Sequence, residues 1–496
     1  MIVYRHLPIL PIVLPFLGAV TALVLKQRPR AQVVIALAAM SAALAASLAL
    51  LVAVRAAQAP LVFQVGGWSA PFGITMVADL TSALFVVMSQ VVLLLGVVYA
   101  VGSRERCVGY STFYPLFLFL ATGLTGGFLA GDIFNLFVFL ELLAISSTVL
   151  TAISDDRYGV EAAYKYFFMS QVAAVLLLLA IGALYVSCGT LTMAGLATTI
   201  AANPDRALLP VAAALLTAAF MIKSAVFPFH FWQPDFHTAA PTPVSAMLSS
   251  VVVKLGVYGF MRLNTLLFVD HAHLLGPLLT GLGIAGILYG GLGAIGTHNL
   301  KRMLAYSTLA QVGFVLVGVG WGTPMALAAA IVFAFNHSLA KAAMLMLSGF
   351  VASRASVKSA AFEVVTGVGR PLPFAGALFF IGALALAGIP PTNGFIGKLL
   401  LFRSALEARQ VWALLAIGAA AVLSLIYTMR AFMRIWWQPA ADGITTKPYG
   451  DRLYAPALLV ALVVVLGIAS EPLVAVAWEA AQWMAVPELY IGAVGK

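Results

Sequence analysis

Fourteen stretches of about twenty apolar residues follow one another along the 496-residue chain, and they constrain its fold more than any other feature. They cover roughly 7–25, 32–54, 78–101, 113–131, 132–153, 164–187, 207–227 with a continuation to about 237, 241–267, 275–297, 300–321, 323–351, 373–402, 411–437 and 455–475. About twenty helical residues cross the hydrocarbon core of a bilayer. In lipid every backbone N–H and C=O must find its partner within the chain, so such runs become helices. Charged residues make up only 9% of the chain, where a soluble protein carries roughly 25%. The expectation is an all-α polytopic membrane protein with about 14 transmembrane helices. It forms one domain over residues 1–496, with no soluble catalytic part.

The formal net charge is +10. Its distribution points to lipid rather than nucleic acid as the partner of that charge. When the loops are assigned to alternate sides, sixteen of the 27 lysines and arginines fall on one side and seven on the other. The remaining four, Lys223, Lys254, Lys341 and Lys398, lie within spans. By the positive-inside rule the richer side is cytoplasmic, which puts both termini outside, in a bacterial inner membrane.

Segments seven and twelve share an oddity. The seventh is interrupted at F-P-F-H-F-W-Q-P-D by Pro228 and Pro234, the twelfth at A-G-I-P-P-T-N-G-F by Pro390 and Pro391. Proline removes a backbone donor and breaks a helix, and broken backbone at membrane depth survives only inside protein or around water. The two breaks lie five segments apart. Segments 4–8 (about 113–267) and 9–13 (about 275–437) therefore read as repeats, and an odd number of crossings makes the second copy inverted. Inverted repeats with broken helices are a pattern of transporters.

The buried charges suggest what is transported. Glu141 lies mid-segment, where a carboxylate costs several kcal/mol unless paired or protonated. Lys223 lies about one turn before the first break and is its expected partner, because a Lys–Glu pair in a dry site switches its proton as the two separate and rejoin. Lys254 is too far from either helix end to reach water. His337 and Lys341 are four residues apart, on one helical face. Lys398 follows the second break and would end the row near one surface. His230, Asp235 and His237, just past the first break, are candidates for a proton entrance. Asp79 and Asp132 read as helix starts. A row of titratable groups suits proton transfer through the membrane; a sodium cage would need several oxygen ligands, and a solute pocket would mix polar and aromatic groups. Cys107 and Cys188 stand alone, and no C-x-x-C, haem, Walker or metal pattern occurs, so no cofactor or metal is expected.

At these residues the sequence resembles the antiporter-like subunit family. That family includes the large subunits of Mrp-type multisubunit cation/proton antiporters, three membrane subunits of respiratory complex I, and subunits of membrane-bound hydrogenases. The motifs are G-D-I-F-N-L-F-V-F-L-E, K-S-A-V-F-P-F-H-F-W-Q-P-D, A-A-P-T-P-V-S-A, H-N-L-K-R-M-L-A-Y-S-T-L-A-Q-V-G and P-P-T-N-G-F-I-G-K, with the first most like the D-type subunits of Mrp antiporters. The resemblance implies that Glu141 is the family's fifth-helix glutamate and Lys223 its partner. It makes Lys254 the bridging lysine, Lys341 with His337 the central relay, and Lys398 the residue of the outer half-channel, where some complex I relatives carry glutamate. His230 departs from many relatives. The implied function is a proton-translocating, non-enzymatic subunit of a Na⁺ or K⁺/H⁺ antiporter assembled with other membrane subunits. The alternative is a proton-pumping subunit of a redox complex, such as a complex I-like NADH dehydrogenase or a membrane-bound hydrogenase.

Overall fold

A computed structural model of the protein describes residues 6–69, 72–440 and 443–495. Arg5 and Lys496, two of the seven charges on the less basic side, lie outside the described residues. The chain is almost wholly helical: α1 (Leu10–Val24), α2 (Pro29–Ala57), α3 (Leu80–Gly102), α4 (Phe113–Leu129), α5 (Ile133–Ala152), α6 (Arg157–Cys188), α7 (Met193–Ala202), α8 (Leu209–Lys223), α9 (Trp232–Ala239) and α10 (Thr242–Leu267). There follow α11 (Ala272–Gly296), α12 (Leu300–Trp321), α13 (Pro324–Arg354), α14 (Pro373–Ala387), α15 (Asn393–Glu407), α16 (Val411–Trp437), α17 (Tyr454–Ile468), α18 (Glu471–Met484) and α19 (Pro487–Val494).

Among the described residues nine helices are long and apolar enough to cross a membrane: α2, α3, α5, α6, α10, α11, α12, α13 and α16. A tenth is α17 with α18, bent by 76° at their junction. The other expected crossings are short or split. Segments one and four are the 15- and 17-residue helices α1 and α4. Segments seven and twelve are the pairs α8/α9 and α14/α15. In the first break the chain leaves the helix at Ser224 and passes through Ala225 at φ 51°. In the second it turns at Gly388, φ 81°, a left-handed conformation that glycine adopts without a Cβ clash.

One element was not expected. Leu61–Gln64 (β1) and Thr75–Ala78 (β2) form a two-stranded antiparallel sheet, with Leu61 opposite Ala78. Gly131 donates its N–H to the Thr75 carbonyl at 2.9 Å, tying the sheet to the α4–α5 junction. Next to it Asp132 caps α5, accepting from the N–H groups of Phe134 (2.8 Å) and Asn135 (3.0 Å). A carboxylate there satisfies orphan donors and complements the helix dipole.

The helices sort into two kinds. α10, α12 and α13 are almost entirely buried and α3 largely so, whereas α2, α5, α6, α11 and α16 leave more than half of their most apolar stretch unburied. Exposed positions such as Phe134, Val138, Ile145 and Val149 of α5, or Phe168, Val175 and Leu179 of α6, are apolar, as a lipid-facing surface demands. Small residues allow the inner contacts. α11 lies against α12 through Gly283 and Gly313 and through Gly290, where a Cβ would come within 2.6 Å of the Ala310 nitrogen. Because backbone is the obstacle, Gly290→Val should force the two helices apart. The expected cost is about 1–3 kcal/mol, read as a lowered melting midpoint of the purified complex.

Candidate functional site

Four lysines sit inside this frame, each held differently. Lys223 is the last residue of α8, so its ammonium emerges where the helix breaks. Nζ donates to Glu141 Oε1 at 3.0 Å and to Ser170 Oγ at 2.7 Å, while Gln171 Nε2 donates to Glu141 Oε2 at 3.2 Å. α5, α6 and α8 thus each supply a part. The Lys223 side chain is 8% exposed and that of Glu141 17%, so the pair has left bulk water. A partly buried pair with two further polar contacts among the described residues, those of Ser170 and Gln171, is weak glue.

Lys254, in α10, is fully buried and meets His337 Nδ1 of α13 at 2.7 Å. The stretch of α10 before it, Leu248–Val252, is π-helical, and the Ser250 carbonyl there accepts from Ser338 Oγ at 2.7 Å. π-turns widen the helix by a residue and recur at functional positions. Lys341, one turn after His337, turns the other way. Its Nζ donates to the Leu304 carbonyl (3.1 Å) and to Ser307 Oγ (2.7 Å), which in turn meets Tyr427 Oη at 2.7 Å. His337 and Lys341 share a helix face but bond to different neighbours.

Lys398 lies beyond the second break. Its Nζ donates to the last carbonyls of α14, Leu386 (3.1 Å) and Ala387 (2.8 Å), and stands 5.3 Å from the centre of the Phe314 ring. It caps a broken helix, the arrangement that a cation at a helix C-terminus favours. Between it and the centre lies a void of about 10 Å³ lined by Gln311, Asn336, His337 and Leu386. Gln311 Nε2, Asn336 Oδ1 and His337 Nε2 have no partner among the described residues. A void of one-water size rimmed by three unsatisfied polar atoms is the setting in which a buried water is held.

His230, Asp235 and His237 do not form one cluster. His230 packs on Tyr289 and Phe227, with ring centres 4.7 and 5.6 Å away. Asp235 pairs with Lys165 at 3.0 Å and Arg302 at 2.7 Å. His237 is buried, and neither ring nitrogen has a partner among the described residues.

Two further buried cations, Arg262 and Lys301, escaped the reading of the sequence, whereas Asp79 heads α3 as its position suggested. Asp79 caps α3 through a capping box with Ser82, and its other oxygen accepts from Arg262 Nη2. Arg262 also bonds Tyr258 Oη at 2.9 Å and lies over the Tyr490 ring of α19. By its place near the end of segment eight Arg262 belongs with the seven charges of the less basic side, yet it is buried. The spacing Lys254, Tyr258, Arg262 along one helical stripe was the available signal. Lys301, at the start of segment ten, falls among the sixteen charges of the cytoplasmic side. It too is buried, donating to the Ala240 carbonyl at 3.1 Å, not far from a buried Glu105.

Comparison with known proteins settles the ancestry. Residues 130–424 match the family model described as NADH:quinone oxidoreductase/Mrp antiporter, TM. The chain belongs to that family. All four interior lysines, Glu141 and His337 fall inside the matched span, whereas Asp79 and Glu105 precede it. Over 99% of its length the chain is 33% identical to the D-type subunit of the Na(+)/H(+) antiporter of Alkalihalophilus pseudofirmus, covering 100% of that protein. It is 34% identical to the N-type subunit of the NADH-quinone oxidoreductase of Desulforudis audaxviator, over 93% of this chain and 94% of the other. Among solved structures, a chain of the Mrp complex from Dietzia sp. superposes with a TM-score of 0.91 at 27% identity, covering 100% of both chains. The protein is thus a membrane subunit of the Mrp and complex I type, with a buried lysine–histidine–carboxylate network at its centre.

Proposed function

We propose that this chain is the proton-translocating subunit of a multisubunit Na⁺ or K⁺/H⁺ antiporter. Protons move along Glu141, Lys223, Lys254, His337 with Lys341, and Lys398. The observation that carries this reading is the line of amines itself: one paired with a carboxylate, one with an imidazole, and two held only by neutral oxygens. The two neutral-held amines gain no opposite charge from their neighbours, so moving a proton breaks no ion pair there. The one-water void beside His337 supplies a bridge toward Lys398.

We further propose that the chain crosses the membrane 14 times, with the short and broken helices spanning as pairs or against neighbours, both termini outside, and repeats over 113–267 and 275–437. Matching details support the repeats. Asp132 caps α5 and bridges Thr192, while Asn299 caps α12 and bridges Ala361. Each repeat has one broken helix with a lysine beside the break.

The likeness to a membrane subunit of an NADH-quinone oxidoreductase keeps a redox-driven pump as the second reading. Purification of the tagged chain from its own membrane in mild detergent separates the two. Small membrane subunits with a second large antiporter-like chain, and cation-dependent collapse of a proton gradient after reconstitution, are expected. Stoichiometric flavin or iron–sulfur subunits would give the chain to a redox complex instead.

A further inference from the structure

Residues near the ends of α3, α10, α12 and α13 on the lysine-rich side enclose a polar cleft of about 590 Å³. Glu105, Lys301 and Lys358 line it, together with residues 238–242 that link α9 to α10. Glu105 is only 8% exposed, and its Oε1 accepts from the N–H (3.1 Å) and hydroxyl (2.6 Å) of Thr242. The Lys358 ammonium stands 3.8 Å from the same oxygen. Burial works to raise the Glu105 carboxyl, but the charges of Lys301 and Lys358 and the bonds from Thr242 hold it below the ordinary range. It therefore stays anionic. The neighbouring Cys107 thiol, pushed up to about 11 chiefly by burial, stays neutral. Asp451, bonded to Tyr99 Oη at 2.6 Å and to the Arg104 N–H at 2.7 Å, completes the charges around Lys301.

A lysine at the cytoplasmic edge of a membrane ordinarily extends into water. Lys301 instead points inward, to Ala240. Three residues earlier, in the last turn of α9, is His237, buried and with both nitrogens unpartnered among the described residues, within electrostatic reach of Lys301 and Lys341. A buried imidazole with neither nitrogen bonded is costly unless water or a transferable proton serves it.

We propose that Lys301 passes protons from this cleft to His237, and that Glu105 gathers them there. This rests on the relay reading above. In the transfer an Nζ–H bond of Lys301 breaks and an N–H bond forms on neutral His237, directly or over a water, leaving a neutral amine. A hydronium in the cleft then returns a proton to the amine and leaves as water. Glu105 stays ionised throughout and raises the local proton concentration.

The test uses the whole complex in everted vesicles, where the cleft faces the bath. Lys301→Arg keeps the charge but its guanidinium releases no proton. Both Lys301→Arg and Lys301→Ala should lower turnover about tenfold or more, with the same subunits co-purifying. Glu105→Gln should lose most rate where bath protons are scarce and least where they are plentiful. Wild-type rates in Lys301→Arg would overturn the transfer step, and a loss in Glu105→Gln that ignores proton concentration would reduce Glu105 to a prop for Thr242. A measurement on the unmutated complex stands beside these: hydroxyl-radical footprinting should label Tyr110 and Tyr158, which line the cleft and are exposed, and an unlabelled cleft would mean no aqueous mouth exists. Lys223→Ala run in parallel separates the failures. If it also transports, the relay falls; if it is dead while Lys301→Arg is active, only the mouth does.

Discussion

Lys223→Ala should abolish proton-coupled cation transport while leaving the complex assembled. The ammonium is the only cation bonded to Glu141 among the described residues, and it sits on the last turn of a helix that ends at the next residue. Its loss removes the switchable pair, and assembly should survive because the side chain stands on the last residue of α8, where the helix already ends. Turnover should fall by at least about 100-fold, the scale on which a positioned acid–base group contributes. Lys223→Arg is the sharper variant. It preserves a cation for Glu141 but cannot give up its proton, so it should be as inactive as alanine. Ser170→Ala, which removes one neutral acceptor, should cost far less. Dye-reported collapse of a proton gradient on addition of Na⁺ or K⁺ to everted vesicles reads all three. Full activity in both Lys223 variants and in Glu141→Ala would end the proposed mechanism.

The second large effect concerns stability. Arg262→Met should destabilise the protein by about 3–5 kcal/mol, because it strands the buried Asp79 carboxylate. The pair is 183 residues apart in sequence, so its loss also loosens α3 from α10. α19 loosens with it, since Tyr490 rests on the same guanidinium. The double variant Asp79→Asn, Arg262→Met should recover much of the loss, because asparagine still caps α3 and no charge is left unpaired. Thermal unfolding of the purified complex, followed by tryptophan fluorescence, measures both. A single variant as stable as wild type would show that the pair carries no net stabilisation.

The parts of this molecule that were legible beforehand are those whose free energy is summed along the chain. Transfer of apolar residues into lipid is such a sum, so the long helices α3, α6, α12 and α13 could be drawn from composition alone. The breaks were legible because proline acts on its own neighbourhood. Buried lysines were legible because nothing near Lys254 or Lys341 in sequence offers a route to water. What stayed hidden depends on distant segments meeting. Arg262 and Lys301 lie close enough to helix ends to pass for surface charges, and only the partners Asp79 and Ala240, brought from elsewhere in the chain, turn them inward. The sheet of β1 and β2 was hidden likewise, four residues per strand being too few to show an alternation. The failure of His230, Asp235 and His237 to gather has the same origin: the break after α8 sends them toward Tyr289, Arg302 and the interior respectively.

The interior row holds four amines and one carboxylate. A protein that kept every one of those amines charged would store three uncompensated positive charges in a medium that screens them poorly. On the proposed relay the row therefore offers more seats than it has occupants. A proton arriving at one end raises the electrostatic energy of every other proton in the row, most of all its nearest neighbour, and the relief comes when one leaves. On the proposed relay, repulsion among these like sites would couple arrival on one side to departure on the other.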